Sequence, residues 1–346
     1  MISYQKEPTL LTDLIQDGDK IVLGVSGGPD SMCMLDMMRE LKEEKNINFE
    51  IYVAHINHMI REEAIDDEKY VQNYCLKHNI EFFVKRADVQ KIANDKKIGT
   101  EEAGRKVRYD FFEEVLQKTG SNKIAIAHNK NDKIETIIMH LLRGSGLSGL
   151  KGIEPIRDNK YIRPLIECER QEIEQYCEDR KLQPRIDKTN FENEYTRNKI
   201  RNIVIPYIKK EFNPNIIQTL SRLSEVATDE SNYIDLQTQK IYNKLLIEKS
   251  DKQIILKLKE FNQQENVIQK RLVLKTIKEL NGSTDRIEKI HIEDIIKLCT
   301  NNIGNKYLTP NKNLKILVKD KKIFFIKMNW QNWLVKLKSA RKPRKL

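Results

Sequence analysis

The sequence is poor in residues that staple a fold together. It has five cysteines in 346 residues (Cys33, Cys75, Cys168, Cys177 and Cys299), an odd number with no Cys-x-x-Cys pair. That argues against a disulfide framework and gives no zinc or iron–sulfur spacing, so the thiols read as small buried hydrophobes. Long apolar runs are also missing, and Met1 to Leu11 has no secretory pattern, so a soluble cytoplasmic chain without a membrane partner is expected. Acids are scarce at the end: from Lys319 onward the only one is Asp320, while lysine and arginine recur around Trp330 and Trp333. A basic stretch with interleaved aromatics suits RNA contact, and equally a solvated tail with two packed tryptophans. The net charge of +11 favours a polyanionic partner, though lysine-rich composition alone can produce such an excess. At 39% apolar residues the chain still has material for a core, and its length allows two domains.

Against that background one stretch stands out. Ile21 to Val25 is a short apolar run suited to a strand buried on both faces. It stops at Ser26-Gly27-Gly28-Pro29-Asp30-Ser31, and a helical pattern begins with Met34, Leu35, Met38 and Leu41. A strand, a glycine-rich turn and a helix start form an anion site, because backbone N–H groups and the helix dipole converge there. Asp30 beside bound phosphates would repel them unless a metal bridges the two, which points to Mg²⁺. The loop lacks the Gly-Lys-Ser/Thr of a Walker A motif and is not Gly-x-Gly-x-x-Gly.

Further strands are expected at residues 49–55, Glu81 to Arg86 and Ile124 to Ala127, with helices between them. Alternation of this kind predicts an α/β fold with a doubly wound, mostly parallel sheet that binds ligands beyond its strands' carboxyl ends. Three polar clusters then gather at one edge: Ser26 to Ser31, His55 to Arg61, and His128 to Asp132. Beyond Asn213 the pattern turns helical to about Ile247, then around Glu265 to Leu280 and Ile287 to Cys299, closing with β-like runs at Leu314 to Val318 and Ile323 to Ile326. The expected domains are residues 1–212, a smaller mainly helical region at 213–330, and a basic tail at 331–346.

The hexapeptide resembles the phosphate loop of the N-type ATP pyrophosphatases, or PP-loop enzymes. With His-Ile-Asn-His-Met-Ile-Arg at 55–61, Ala-His-Asn-Lys-Asn-Asp-Lys-Ile-Glu-Thr at 127–136, Arg163-Pro164-Leu165, Asp187 to Asn190 and Arg197 to Arg201, the chain is similar to the tRNA(Ile)-lysidine synthases. The resemblance implies ATP and Mg²⁺ as cofactors, and CAU-anticodon tRNA(Ile) and free L-lysine as partners, with a second copy of the chain kept open. The implied reaction adenylates carbon 2 of the wobble cytidine, and the lysine amine then displaces AMP. It implies catalytic roles for Asp30, Arg105, His128, Asp132 and Glu135. Nucleotide contacts fall to Ser26, Gly27, Gly28, Pro29, Asp30, Ser31, His55, Arg108 and Arg143. Metal contacts fall to Asp30 and Asp132. Arg61, Asp187, Asn190, Arg197 and Arg201 become contacts to tRNA or lysine, and residues 213–330 a tRNA-recognition region. Asp132 and Glu135, one helical turn apart, could equally be a helix cap and its partner acid.

The third block departs from the more usual His-His-x-Asp-Asp-Gln-x-Glu-Thr: Asn129, Asn131 and Lys133 replace a histidine, an aspartate and a glutamine. That shifts weight onto His128, Asp132 and Glu135. Two other readings stay open: a tRNA thiolation enzyme of the same group, for which the cysteine spacing is wrong, and a non-catalytic RNA-binding relative.

Overall fold

Ile21, Val22 and Leu23 are all fully buried, and they face two different cores. Ile21 and Leu23 pack with Met32, Leu35, Val71 and Cys75 on one side of the sheet. Val22 packs with Phe111, Phe112 and Val115 on the other. A strand covered on both faces by helices has no polar side to keep wet, and each such side chain contributes about 1.5–3 kcal/mol by leaving water. The computed structural model describes residues 14–44, 47–59, 64–185, 196–301 and 306–328. Arg61, Asp187, Asn190 and the expected tail at 331–346 lie outside the described residues.

The central sheet comprises β1 (Lys20–Gly24), β2 (Glu50–Asn57), β3 (Glu81–Arg86), β4 (Lys123–Ile126), β5 (Ile156–Arg157) and β6 (Tyr161–Ile162). Their order is β3-β2-β1-β4-β6-β5, and only β5 runs antiparallel. The chain winds outward from β1 to β2 and β3, then returns to place β4 on the other side of β1. That reversal opens a crevice at the carboxyl ends of β1 and β4. β2 continues to Asn57, so His55 sits inside the strand and not beyond its end. Gly24, the last residue of β1, is required by close approach: a Cβ there would lie 2.4 Å from Phe112 Cζ.

The chain divides into two compact units, Met1–Thr228 and Asp229–Leu346. The division falls inside the helix Ile216–Leu245 and not at the expected loop near Asn213. The start of that helix packs Ile216, Ile217 and Leu220 with Ile134, Ile137 and Ile138, whereas Tyr242 and Leu245 at its end belong to the second unit's core. The second unit holds the helices Asn266–Asn281 and Lys289–Asn301 and a five-stranded antiparallel sheet. The sheet is built from β7 (Leu246–Lys249), β8 (Gln253–Lys257), β9 (Tyr307–Asn311), β10 (Leu314–Lys319) and β11 (Lys322–Lys327), in the order β7-β8-β11-β10-β9. The expected helices are present, but of the strands only β10 and β11 were expected, and β7, β8 and β9 extend them into a sheet. No helix among the described residues is long and apolar enough to cross a membrane.

Candidate active site

The turn after β1 is organised by one hydroxyl. Ser31 Oγ accepts from the backbone N–H groups of Ser26 and Gly27, each at 3.1 Å, and donates to the Gly28 carbonyl at 3.0 Å. Ser26 Oγ lies 3.2 Å from it and also accepts from Gly28 N at 3.4 Å. Two amides converging on one oxygen at a helix start are what an anion's oxygen would meet. Gly27 makes the convergence possible with φ +94°, a left-handed conformation that a side chain would strain. Its carbonyl accepts from Arg185 N at 2.9 Å, which ties the segment before residue 186 to the loop. Pro29 opens the helix Pro29–Glu43, where its missing N–H costs nothing.

The turn after β4 faces this loop. Asn129 is fully buried and caps the helix Lys130–Leu142: its Oδ1 accepts from Asp132 N at 3.0 Å, and its own N donates to Asp132 Oδ2 at 3.1 Å. Its Nδ2 donates to Asp30 Oδ1 at 2.9 Å, joining the two turns across 99 positions of sequence. Burial, and then the charge of Asp132, push the Asp30 carboxyl above its ordinary value. Asp132 and Glu135 share a helix face, as their spacing suggests, and Arg201 binds both. Arg201 Nη2 donates to Asp132 Oδ1 at 3.0 Å and to Glu135 Oε2 at 2.8 Å, while Nε donates to Glu135 Oε1 at 2.6 Å. Glu135 is only 1% exposed, and burial lifts its carboxyl despite these bonds. Arg197 Nη2 donates to Thr136 Oγ1 at 2.9 Å.

Arg201 reaches the acids from a π-helical turn at Ile200–Val204 that leads into the helix Ile205–Glu211. Pro206 has no N–H to return to the carbonyl four residues back, so the backbone widens before it.

His128 stands beside this group. Arg163 Nε donates to its Nδ1 at 3.3 Å, which leaves the ring proton on Nε2. Burial pushes its pKa down to about 4, so the ring is neutral near pH 7. His55 Nδ1 lies 2.9 Å from the Val25 carbonyl and must donate to it. Among the described residues nothing bonds His55 Nε2 or His58 Nδ1, although both are buried. Burial, then the Arg108 charge, hold His58 at about 4.

The expected residues divide accordingly. Ser26, Gly27, Gly28, Pro29, Asp30, Ser31, His128, Asp132, Glu135, Arg197 and Arg201 converge around the two turns. Arg105 is exposed, donates to Tyr109 OH at 3.3 Å, and bears on His128 only through its charge. Arg108 is exposed. Arg143 caps the far end of the helix Lys130–Leu142, roughly 20 Å from its start at 1.5 Å per residue. The structure thus separates Arg143 from the phosphate loop, because thirteen helical residues intervene. Sequence reasoning gave no role to Asn129 or Arg163. An Asn followed three positions later by Asp just before an apolar helix is a capping signal that would have located the first. Among the described residues no three His, Cys, Asp or Glu side chains group to hold a metal unaided.

Residues 3–208 match the PP-loop domain family. The chain belongs to that family. Membership implies use of ATP, and both turns described above lie within the matched residues. The chain is 48% identical over 299 residues to the tRNA(Ile)-lysidine synthase of Clostridium acetobutylicum, covering 86% of this chain and 64% of that protein. It is 44% identical over 306 residues to that of Clostridium tetani, covering 88% and 64%. It therefore spans somewhat less than two thirds of these relatives. The PP-loop fold also matches the U34-tRNA thiolase NcsA of Methanococcus maripaludis, with a TM-score of 0.52 and 20% identity over 63% of this chain and 76% of that one.

Proposed function

We propose that this PP-loop protein ligates L-lysine to carbon 2 of the wobble cytidine of CAU-anticodon tRNA(Ile), cleaving ATP to AMP and pyrophosphate. The curated relatives at 44–48% identity carry that activity in their names. The observation that carries the reading here is the bond from Asn129 to Asp30, which sets an acidic pair beside the two loop amides that converge on Ser31 Oγ.

In this reading the pyrophosphate end of ATP takes the Ser26 and Gly27 N–H groups in place of Ser31 Oγ. The cytosine 2-oxo group attacks the α-phosphorus and pyrophosphate leaves. The lysine ε-amine then adds at carbon 2, AMP departs with the former 2-oxygen, and the lost amine proton passes to solvent. Charge develops on the α-phosphate and on pyrophosphate, so fixed donors are the stabilisers the reaction needs. His128, neutral with its proton on Nε2, supplies one such donor and not an acid. Arg201 and Arg197 hold the carboxylate face of the helix Lys130–Leu142 rigid. Asp30 and Asp132 would hold Mg²⁺ with the phosphates, and the fit is physical: Asp30, whose proton affinity is raised by burial and by the neighbouring Asp132 charge, is relieved by a cation. When bound, the ion neutralises phosphate charge. Residues 229–328 are the tRNA-recognition part of this reading.

The test is incubation of CAU-anticodon tRNA with ATP, Mg²⁺ and labelled lysine. Label entering RNA with one AMP released per lysine is expected. Sulfur-dependent modification, or no ATP cleavage, overturns the proposal.

A further inference from the structure

In the second unit's sheet, β10 and β11 alternate between buried and more exposed positions, and β8 continues their register. Leu314, Ile316, Val318, Ile323, Phe325, Ile254 and Leu256 turn inward to its core. The residues between them form the outer face, and cross-strand register sets them in rows. Lys319, Lys322 and Lys257 pair directly across β10, β11 and β8. Two residues along the strands, Tyr307, Leu317, Phe324 and Ile255 pair across β9, β10, β11 and β8. The next row carries Lys315, Ile326 and Gln253. A band with two aromatics therefore lies between lysines, with Tyr307 exposed, Leu317 and Phe324 half-buried and Ile255 buried.

These lysines differ from others in the same unit. Lys249 and Lys275 pair with Glu279, and Lys289 pairs with Glu293. Among the described residues no carboxylate pairs with Lys257, Lys315, Lys319 or Lys322. The acid on this face, Glu248, stands opposite Ile255 on β7 and is held by Gln253 Nε2 at 2.8 Å. Lys257, Lys319 and Lys322 are exposed, and Tyr307 is 58% exposed with the Lys315 ammonium 4.2 Å over its ring. Adjacent like charges spaced by the strand interval repel one another, and among the described residues no carboxylate offsets that cost. A polyanion would.

We propose that the outer face of this antiparallel sheet is an RNA-binding surface. The Lys257–Lys322–Lys319 row takes backbone phosphates, and the band through Tyr307 and Phe324 meets an unstacked base. The inference rests on the reading that the substrate is RNA, and it moves recognition from the helices of this unit to its sheet.

The experiment uses the full chain and purified CAU-anticodon tRNA. Lys257→Gln/Lys319→Gln/Lys322→Gln and Tyr307→Ala are compared with the parent by filter binding across a salt series, with ATP binding measured in parallel. The triple variant is expected to weaken tRNA binding at least tenfold and to flatten the salt dependence by roughly two to three counterions, at 0.7–0.9 per phosphate contact. Tyr307→Ala is expected to weaken binding by about fivefold or more. Lysidine formation should show a raised KM for tRNA with kcat and ATP affinity retained, which separates failure here from failure of the parent to make lysidine at all. Unchanged affinity and salt slope in folded variants overturn the proposal. So does a parent that self-associates through this face, seen as a fall in mass by light scattering in the triple variant while RNA affinity holds.

Discussion

The carboxyl edge of the parallel sheet and the outer face of the antiparallel sheet both carry concentrated charge, but only the first buries it. Glu135, Asp132 and Arg201 close on one another with Glu135 1% exposed, whereas Lys257, Lys319 and Lys322 are exposed and pair with no carboxylate among the described residues. Buried ions must be paired, and removing one partner strands the other in a low-dielectric site. Exposed ions are solvated, so removing one changes what the surface attracts and leaves folding alone. Burial and exposure thus put charged side chains to opposite uses.

The sharpest way to break this comparison is at Arg201. Arg201→Met should cost about 3–5 kcal/mol, because Glu135 and Asp132 lose their shared cation. Lys322→Met should stay within about 0.5 kcal/mol. Urea unfolding of both variants gives the answer, and similar losses would erase the distinction.

A second, smaller contrast lies within the buried group. Asp132 both caps its helix and holds Arg201, whereas Asp30 receives one amide from Asn129. Asp132→Ala should therefore cost about 1–2 kcal/mol from the lost cap, more with the stranded guanidinium. Asp30→Asn should leave stability nearly unchanged. Both should lower lysine incorporation by roughly 10²–10³-fold while tRNA binding persists. Turnover and urea midpoints measured on the same preparations separate cap from chemistry. Turnover that survives in Asp30→Asn would remove Asp30 from the reaction.

The two regions also differ in how far they could be read in advance. The phosphate turn was legible because its determinants are contiguous: an apolar run, two glycines, a proline at a helix start. The bridge from Asn129 to Asp30 was not, since a hydrogen bond spanning 99 positions leaves no local pattern. Arg163, noted only within Arg163-Pro164-Leu165, received no role for the same reason, because its partner His128 belongs to another strand's end. In the second unit, Ile254, Ile255 and Leu256 form an unbroken apolar run whose periodicity does not separate strand from helix. Pro310 argues against a strand in general, yet β9 is an edge strand, where a missing N–H is tolerated. β10 and β11 were readable as short β-like runs, and the structure joins them by a two-residue turn at Asp320-Lys321, both at positive φ.

Acid titration should separate the regions by window. His58 and His128 have pKa values near 4 in the folded protein against an ordinary 6.5, so below pH 6.5 the unfolded chain takes protons that the fold refuses. Stability then falls from pH 6.5 toward 4, by about 1–3 kcal/mol for the two together after allowing for solvent. Asp30, raised by burial and by Asp132, works with the opposite sign and softens the lower end of this fall. In the second unit Glu279 accepts from Lys249 Nζ at 2.8 Å and Tyr242 OH at 2.9 Å, and Lys275 lies 2.9 Å away. Burial opposes its charge, but these three partners hold it near 2 against 4.5. Its contribution is whole above pH 4.5 and disappears as pH falls through 2. Being partly solvated, it should amount to about 1 kcal/mol. Thermal melting from pH 7 to 2 should therefore show two declines, the higher one reduced by His58→Asn, with the His128 share left, and the lower one removed by Glu279→Gln. A single decline, untouched by Glu279→Gln, would mean that the network around Glu279 is as weak as an ordinary surface pair.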